Sequence, residues 1–504
     1  MPTRLVQILR QESMASYRLW ETPHGRTEPY AALSYCWGGD QTFKTTLQTI
    51  SQHKKDIKLG SLPQTLQDAI FVTEQLGLKY LWIDALCIIQ DDAKDKSHEI
   101  SQMARVYGNA TVTIAASRAK AVWEGFLSER PSLGSELPDM VFSLPCQRAN
   151  EQAGNVILVP LVSEPTEPLD LRGWTFQERV LSNQVLDFGS LRTQWICRAN
   201  LDFVLSDGWS NQAMDRAYGS FGLDSQVMSD LIAGRFSSQD MLGFWMKITK
   251  GFANRALSFS ADKLPAIAGM AECFGVLLHD DYLAGLWRSA MPASLLWSNR
   301  SSVLESRSPH DHVSAPTWSW AAIGGPIEFD RQYTDIYENV HFEVHIQDCQ
   351  VSLVDEQAPY GAVKSGELKL KGYVQRVNWV REGIYGPADK LLAAGAGIPD
   401  EPGGLGYGFS KDRDTGIGFI PDSLETEFLN DPASAIEVCL VLFGSIVFTD
   451  KSGLFPSIFG LVLRSLPGGQ YSRLGVFKKA MPGREFAKYM RWFRESSQES
   501  FVII

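Results

Sequence analysis

The sequence predicts an α/β amino-terminal domain, in which an open parallel sheet is flanked by helices, followed by a mainly helical region and a β-rich carboxy-terminal domain. Short apolar strands alternate with helical segments over residues 1–210, which predicts right-handed crossovers and a parallel sheet. Helical spacing and tryptophan-rich loops dominate residues 211–335, and strand-like segments dominate residues 336–504. A chain of 504 residues is too long for one hydrophobic core, so several domains are expected.

The first predicted elements are a strand in residues 29–38, which ends at a glycine turn, and the helix that follows it. Ser61 and Gln64 predict a capping box at the start of this helix, with Pro63 in the first turn. Apolar residues recur near helical spacing up to Gly77, where the helix is expected to end.

A second strand, a second helix and a third strand come next. Residues 78–89 are almost wholly apolar, as in a strand that is buried on both faces. Residues 95–107 have the helical period and stop at a glycine, and residues 110–116 alternate as a strand does. Residues 118–170 have the proline-rich punctuation of an insertion, with a hairpin predicted around residues 156–162.

The amino-terminal domain closes with a helix, for which Asp170 is the predicted cap, and with strands at residues 185–188 and 193–197. Helices of the middle region are predicted at residues 228–236, 241–252 and 264–278. The predicted strands of the β-rich region, which suggest a sandwich or barrel, are residues 342–354, 367–377, 435–448, 458–465 and 474–477. Residues 393–408 are rich in glycine and proline but lack the ending of a phosphate-binding loop, so a mobile loop is expected there.

Four tryptophans of the middle region could form a base-stacking platform or pack within the fold: Trp287, Trp297, Trp318 and Trp320. Large aromatic residues most often supply buried packing area, so packing is the favoured interpretation.

Composition and charge exclude several functional classes. The net charge of −11, without a long basic run, argues against a nucleic-acid partner. Seven widely spaced cysteines without a CxxC pair indicate neither a disulfide framework nor a zinc site, and His310 and His312 lack a third ligand, so no metal is expected. Because we find neither a signal-peptide pattern nor an apolar run of about 18 residues, we expect a cytoplasmic protein without a membrane span.

Three separated segments place polar groups and a tryptophan beside apolar runs: residues 32–38, 81–91 and 172–179. Ligands of open parallel sheets bind beyond the carboxyl ends of the strands. Five residues fall at or just past such predicted ends: Tyr35, Trp37, Gly38, Asp84 and Asp91. We therefore expect these segments to form one pocket.

Trp174 and Glu178 are four residues apart on a predicted helix and so share a face. An aromatic ring beside a carboxylate suits a ribosyl ligand, because the ring stacks on a base and the carboxylate stabilises an oxocarbenium-like transition state. The alternative is structural: Glu178 pairs with Arg172 or Arg179, and Trp174 belongs to the core. Asp84 likewise either takes part in chemistry or accepts backbone N–H bonds.

The three segments, in this order and spacing, resemble the blocks of the fungal heterokaryon incompatibility (HET) domain. Ser34-Tyr35-Cys36-Trp37-Gly38 is similar to the first block, and residues 82–91, with Met103 and Tyr107, are similar to the central block. Arg172-Gly173-Trp174-Thr175-Phe176-Gln177-Glu178-Arg179 is similar to the third. The resemblance spans about residues 29–200. It implies a role in non-self recognition between fungal cells and in programmed cell death.

A second resemblance is to Toll/interleukin-receptor (TIR) domains, which implies a TIR/flavodoxin-like fold. Trp174 and Glu178 are similar to the tryptophan and glutamate of NAD-cleaving TIR domains, and the insertion before them is a departure from that pattern. The resemblance implies that Glu178 is catalytic and that NAD is a substrate rather than a bound cofactor. The ligand-binding residues would be Ser34, Tyr35, Trp37, Gly38, Asp84, Asp91, Arg172 and Trp174.

Three functions remain open at this stage. The first is a cell-death effector that cleaves NAD. The second is a non-enzymatic signalling module that self-associates or binds another incompatibility protein, and the third is a HET-type fold recruited to specialised metabolism. Only the first function involves a small nucleotide ligand. None of the three functions requires a nucleic-acid partner or a membrane-spanning segment.

Overall fold

The computed structural model of the protein describes residues 1–11, 14–130, 142–147, 153–158, 165–197, 234–301, 315–329, 340–380, 390–393, 413–414, 418–423, 435–450, 453–481 and 483–504. The chain divides into two compact units, and the division falls between residues 219 and 227. Most of the helix predicted at residues 228–236 and of the segment at 393–408 lies outside the described residues. No helix within the described ranges is long and apolar enough to cross a membrane.

The first unit is built on a mixed sheet. Its described strands are β1 (Arg4–Gln11), β2 (Met14–Glu21), β3 (Ala31–Ser34), β4 (Tyr80–Trp82), β5 (Val112–Ala115), β6 (Phe142–Gln147), β7 (Ala153–Leu158), β8 (Gln184–Phe188) and β9 (Thr193–Cys197). Seven of them form one sheet in the order β2-β1-β4-β3-β5-β8-β9, and β6 and β7 form a separate hairpin inside the expected insertion. The four central strands run parallel, with Ala31 opposite Val112 and Leu81.

Both edges of this sheet are antiparallel, so the prediction of a parallel sheet is confirmed at the centre and wrong at the edges. The hairpin of β1 and β2 joins the sheet through β4, and Leu5, Val6 and Ile8 are buried there. Alternating polar and apolar residues at the amino terminus are the pattern of such a half-buried strand. A short link between β8 and β9 permits a hairpin but no crossover, which fixes that edge as antiparallel.

Helices connect the parallel strands. In the first unit they are α1 (Ile50–His53), α2 (Gln64–Gln75), α3 (Asp84–Cys87), α4 (Ala93–Gly108) and α5 (Thr175–Leu181). The predicted helices at residues 61–77 and 95–107 are confirmed as α2 and α4. Gly77 ends α2 with φ of +71°, a conformation that glycine adopts without strain.

Three local predictions are wrong. Ser61 forms no capping box, because its hydroxyl donates to the Lys58 carbonyl within a short 3₁₀ turn, and α2 begins only at Gln64. Asp170 caps no helix, since it also lies in a 3₁₀ turn, and α5 begins at Thr175. Residues 78–89 form no continuous strand, because β4 ends after three residues and α3 follows.

The second unit is rich in strands. Its described helices are α6 (Ser238–Ala253), α7 (Ala268–Leu278) and α8 (Gly483–Arg494). Its described strands are β10 (Tyr282–Leu283), β11 (Leu286–Trp287), β12 (Trp297–Asn299), β13 (Ile327–Phe329), β14 (Val340–Phe342), β15 (His345–Leu353), β16 (Val363–Val380), β17 (Lys390–Ala393), β18 (Arg413–Asp414), β19 (Gly418–Pro421), β20 (Ala435–Asp450), β21 (Gly453–Ser465), β22 (Tyr471–Ala480) and β23 (Gln498–Ile503). The pairs β16–β20–β21–β22–β23–β16 close into a ring, as in a barrel.

The middle region is only partly helical. Helices α6 and α7 match two predicted helices, but two-stranded sheets, β10–β11 and β12–β13, lie between them and the β-rich region. Four tryptophans of this region are 0% exposed, which fits packing rather than an open stacking platform: Trp287, Trp297, Trp318 and Trp320. Arg473 is also fully buried, pairs with Asp422 at 2.8 Å and lies 3.5 Å from the centre of the Trp297 ring.

Candidate functional site

The first and third sequence segments meet at the carboxyl end of β3. Ser34 is the last residue of β3, and its hydroxyl donates to Oε2 of Glu178, on α5, at 2.5 Å. Both side chains are buried, with 2% and 6% exposure. Residues 144 positions apart along the chain are therefore in direct contact, at the sheet edge where ligands of parallel α/β folds bind.

Glu178 has the electrostatics of a functional carboxyl group. Its pKa is raised to about 7; burial is the largest cause, and the charge of Asp84 acts in the same direction. The Ser34 bond, the charge of Arg172 and the Tyr107 hydroxyl lower the pKa but do not offset burial. The group therefore exchanges its proton near neutral pH, as a general acid or base requires.

Tyr107 extends the Glu178 cluster from helix α4. Its hydroxyl donates to the Leu33 carbonyl at 2.9 Å and lies within hydrogen-bonding reach of Glu178. Burial raises the pKa of Tyr107 well above its ordinary value, and the Glu178 charge adds to this effect. The neutral Tyr107 phenol can donate a hydrogen bond to the ionised carboxyl group. It can also accept a hydrogen bond from the protonated carboxyl group.

Asp84 brings the central segment to the same place. Its Oδ2 accepts the indole N–H of Trp37 at 2.7 Å, and its Oδ1 accepts the N–H of Ala85 at 2.6 Å. Burial raises the pKa of Asp84, while the bonds from Trp37, Tyr35 and Ala85 lower it. Asp84 thus accepts a backbone N–H bond, as one of its two interpretations predicts, and it also holds the Trp37 ring in place.

Tyr35 and Arg172 complete the described surroundings. The Tyr35 hydroxyl accepts from Gln41 at 2.8 Å and lies within bonding reach of Asp84. Arg172 is partly exposed, and its positive charge lowers the pKa of Asp84, Glu178 and Tyr35 alike. A guanidinium near two carboxyl groups stabilises their ionised forms.

Arg179 does not face this cluster. Its Nη2 lies 2.5 Å from Oδ2 of Asp187, and its Nη1 lies 3.5 Å from Oδ1 of Asp170. Adjacent residues of α5 therefore face different surroundings: the Arg179 side chain forms buried ion pairs, whereas the Glu178 side chain accepts a hydroxyl bond.

Three further residues were predicted for the site: Asp91, Trp174 and Gly38. Asp91 is exposed, and its Oδ1 accepts the N–H of Leu47 at 2.8 Å; no described hydrogen bond joins it to Glu178. Trp174 directly precedes α5 and packs, partly buried, against the core of the first unit. Gly38 has φ of +75° in the loop after β3, a backbone conformation that favours glycine.

Comparison with known families agrees with this geometry. Residues 30–178 match the family model described as heterokaryon incompatibility protein (HET), a range that begins just before β3 and ends at Glu178. Residues 30–178 are therefore similar to the HET family. No curated protein and no solved structure matches the chain.

Sequence reasoning missed some neighbours of the HET-domain cluster. Tyr107 was not predicted as a site residue, although it belongs to the helical stripe of α4 and to the part of the chain that resembles the central HET block; its hydroxyl bonds the Leu33 carbonyl in β3. Cys36 lies in the first segment, and burial raises the pKa of its thiol, whereas the nearby Arg172 charge lowers it. Among the described residues no group of three His, Cys, Asp or Glu side chains could hold a metal, and residues 310–312 lie outside them.

Proposed function

We propose that the HET domain cleaves the N-glycosidic bond of NAD, with Glu178 as the reacting carboxylate, and that this reaction serves non-self recognition and programmed cell death. The observation that carries the proposal is the Ser34–Glu178 contact: a buried carboxyl group, with a pKa of about 7, at the carboxyl end of a parallel strand. The similarity of Trp174 and Glu178 to NAD-cleaving TIR domains supports it further.

The reaction balances without a cofactor. The bond between C1′ of the ribose and the nicotinamide nitrogen breaks, and its electron pair leaves with nicotinamide. The ionised Glu178 stabilises the ribosyl oxocarbenium ion, water adds at C1′, and its proton passes to a carboxylate and then to solvent. The products are nicotinamide, ADP-ribose and one proton.

The described neighbours have roles in this scheme. Ser34 orients Glu178 through its 2.5 Å bond, and Arg172 attracts the pyrophosphate. Trp37 offers its ring to the ligand, because the 2.7 Å bond to Asp84 fixes the indole in place. Since the ionised form of Glu178 stabilises the transition state, cleavage is expected to rise with pH through about 7.

Nicotinamide release from NAD by the purified chain tests this proposal. Glu178→Gln keeps the shape of the side chain but removes the charge, and we expect it to lower release by about 10²-fold or more. Glu129→Gln, at an exposed position outside the cluster, is the matched control and is expected to retain full activity. Absence of release by the unaltered chain, or equal release by Glu178→Gln, would refute the proposal.

A second candidate function is a non-enzymatic signalling module that self-associates or binds another incompatibility protein. The burial of Glu178 favours it, because a carboxyl group with 6% exposure also suits a structural role. It requires that Glu178→Gln still triggers cell death in a fungal host and that the chain assembles as its concentration rises. A chain that triggers death as a monomer would exclude this candidate.

A further inference from the structure

Trp123 is an exposed tryptophan that lies beside buried apolar side chains in its loop. It is 61% exposed, whereas Ala121, Val122 and Phe126 in the same loop are at most 3% exposed. The loop follows β5, another parallel strand of the sheet. The exposure of Trp123 leaves a large planar ring in contact with solvent.

Helix α2 holds this loop in place. The N–H of Thr65 donates to the Val122 carbonyl at 2.9 Å, and the Thr65 hydroxyl accepts the N–H of Gly125 at 3.2 Å. Oδ2 of Asp68 accepts the N–H of Phe126 at 2.7 Å. Because the chain is fixed on both sides of Trp123, the fold itself presents the indole to solvent.

The loop also borders the cluster around Glu178. The N–H of Val122 donates to the Trp37 carbonyl at 3.3 Å, and a Cβ built on Gly38 would lie 3.2 Å from Cη2 of Trp123. The Trp123 ring therefore lies against the glycine that follows Trp37.

Cys36 gives a second link between the loop and the cluster. The pKa of its thiol is raised by burial and responds to the charges of Arg172, Glu178 and Glu124. Arg172 and Glu178 belong to the cluster, whereas Glu124 is the residue after Trp123 in the loop. Charges from the loop and from the cluster therefore both affect the pKa of the Cys36 thiol.

We propose that Trp123 is a base-stacking residue that binds the adenine of the dinucleotide whose ribosyl bond reacts at Glu178. The inference rests on the proposed function and adds the second base of the substrate to it. The reacting nicotinamide riboside lies at the buried carboxyl group, and Arg172 faces the pyrophosphate. The adenine then extends to the exposed rim, where the Trp123 ring is open to a planar partner.

The chemistry of this position favours a base over other ligands. Stacking on an indole needs only an open ring face, and Trp123 is 61% exposed. Removal of one stacking aromatic weakens nucleotide binding by about tenfold. Trp123 would therefore select dinucleotides over mononucleotides that lack the adenine.

Calorimetric binding to the full chain, carried out in the Glu178→Gln background to prevent turnover, tests the proposal. For NAD we expect Trp123→Ala to weaken binding by about tenfold and Trp123→Phe to weaken it by less than about threefold. Nicotinamide mononucleotide lacks adenine, so Trp123→Ala should bind it with the same affinity as the parent, which is the chain that carries Glu178→Gln alone. Trp195→Ala is the matched control, because Trp195 is an exposed tryptophan on the edge strand β9.

The outcomes separate the two proposals. Equal NAD affinity of the parent and Trp123→Ala overturns the stacking role, whatever the catalytic result. Equal loss of affinity for NAD and for the mononucleotide overturns the assignment to adenine. If NAD binds with the predicted Trp123 dependence but the unaltered chain releases no nicotinamide, the stacking role stands and the proposed reaction is wrong, whereas failure of the parent to bind NAD overturns both.

Discussion

Replacement of Glu178 by glutamine should change how the stability of the protein depends on pH. The carboxyl group has a pKa of about 7 in the fold against 4.5 for the ordinary side chain, and burial is the largest cause. A shift of this size corresponds to about 3 kcal/mol between the protonated and ionised forms. Ionised Glu178 is thus a destabilising group in the folded protein.

The sign of the effect follows from proton binding. Because the folded pKa is raised, the folded chain binds a proton that the unfolded chain releases, so the contribution is fully present below pH 4.5 and is lost as pH rises through about 7. Glutamine has no proton to lose at this position, and its amide oxygen can still accept the Ser34 bond. Glu178→Gln should therefore gain about 3 kcal/mol relative to the unaltered chain between about pH 4.5 and about pH 8.5.

Urea unfolding at both pH values measures this difference. The quantity of interest is the free energy of unfolding of the variant minus that of the unaltered chain, because other titrating groups cancel in it. The exposed Glu129→Gln control should show a difference near zero at both pH values. Parallel pH profiles for Glu178→Gln and the unaltered chain would refute the assignment of a raised pKa to Glu178.

Three other substitutions have expected effects on stability, each measured by urea unfolding. Trp37→Phe removes the 2.7 Å bond to Asp84 and should cost about 2 kcal/mol; no loss would mean that water replaces the indole. Gly38→Ala places a Cβ at φ of +75°, against the neighbouring loop, and should cost about 2–4 kcal/mol, whereas an unchanged midpoint would show that the loop yields. Arg473→Met leaves Asp422 buried without its ion pair and should cost about 3–5 kcal/mol, part of which Asp422→Asn should restore if the unpaired charge is the cause.

The sequence predicted the central strands of the first unit because they are short apolar runs between helical segments. The directions of the edge strands could not be predicted from the sequence. Whether two strands pair parallel or antiparallel depends on which strands are neighbours and not on their composition. Residues 78–89 show the same limit at a smaller scale. A continuous apolar run fits a buried strand or a buried helical turn equally, and here the bond from Ala85 N–H to the Asp84 carboxylate accompanies the turn.

The site was predicted in part for a related reason. Strand ends can be read from apolar runs, so Tyr35, Trp37 and Asp84 were predicted to lie at one sheet edge. The partner of each was not predictable, because the Ser34–Glu178 contact joins residues 144 positions apart. No sequence pattern indicated that Trp123 is exposed, because its exposure depends on hydrogen bonds between its loop and helix α2.

The contrast between Glu178 and Arg179 favours chemistry over a structural role for the carboxyl group. A buried charge that serves the fold is expected to have an ionic partner, and Arg179 has one at 2.5 Å in Asp187. Glu178 accepts a hydrogen bond from the neutral Ser34 hydroxyl. Although the charge of Arg172 lowers the pKa of Glu178, that pKa is still about 7, so ionisation of Glu178 costs about 3 kcal/mol. That is a large part of a typical net stability of about 5–15 kcal/mol, and an uncharged residue would avoid it. The proposed reaction gives such a carboxyl group a use, because an ionised Glu178 would stabilise the oxocarbenium ion.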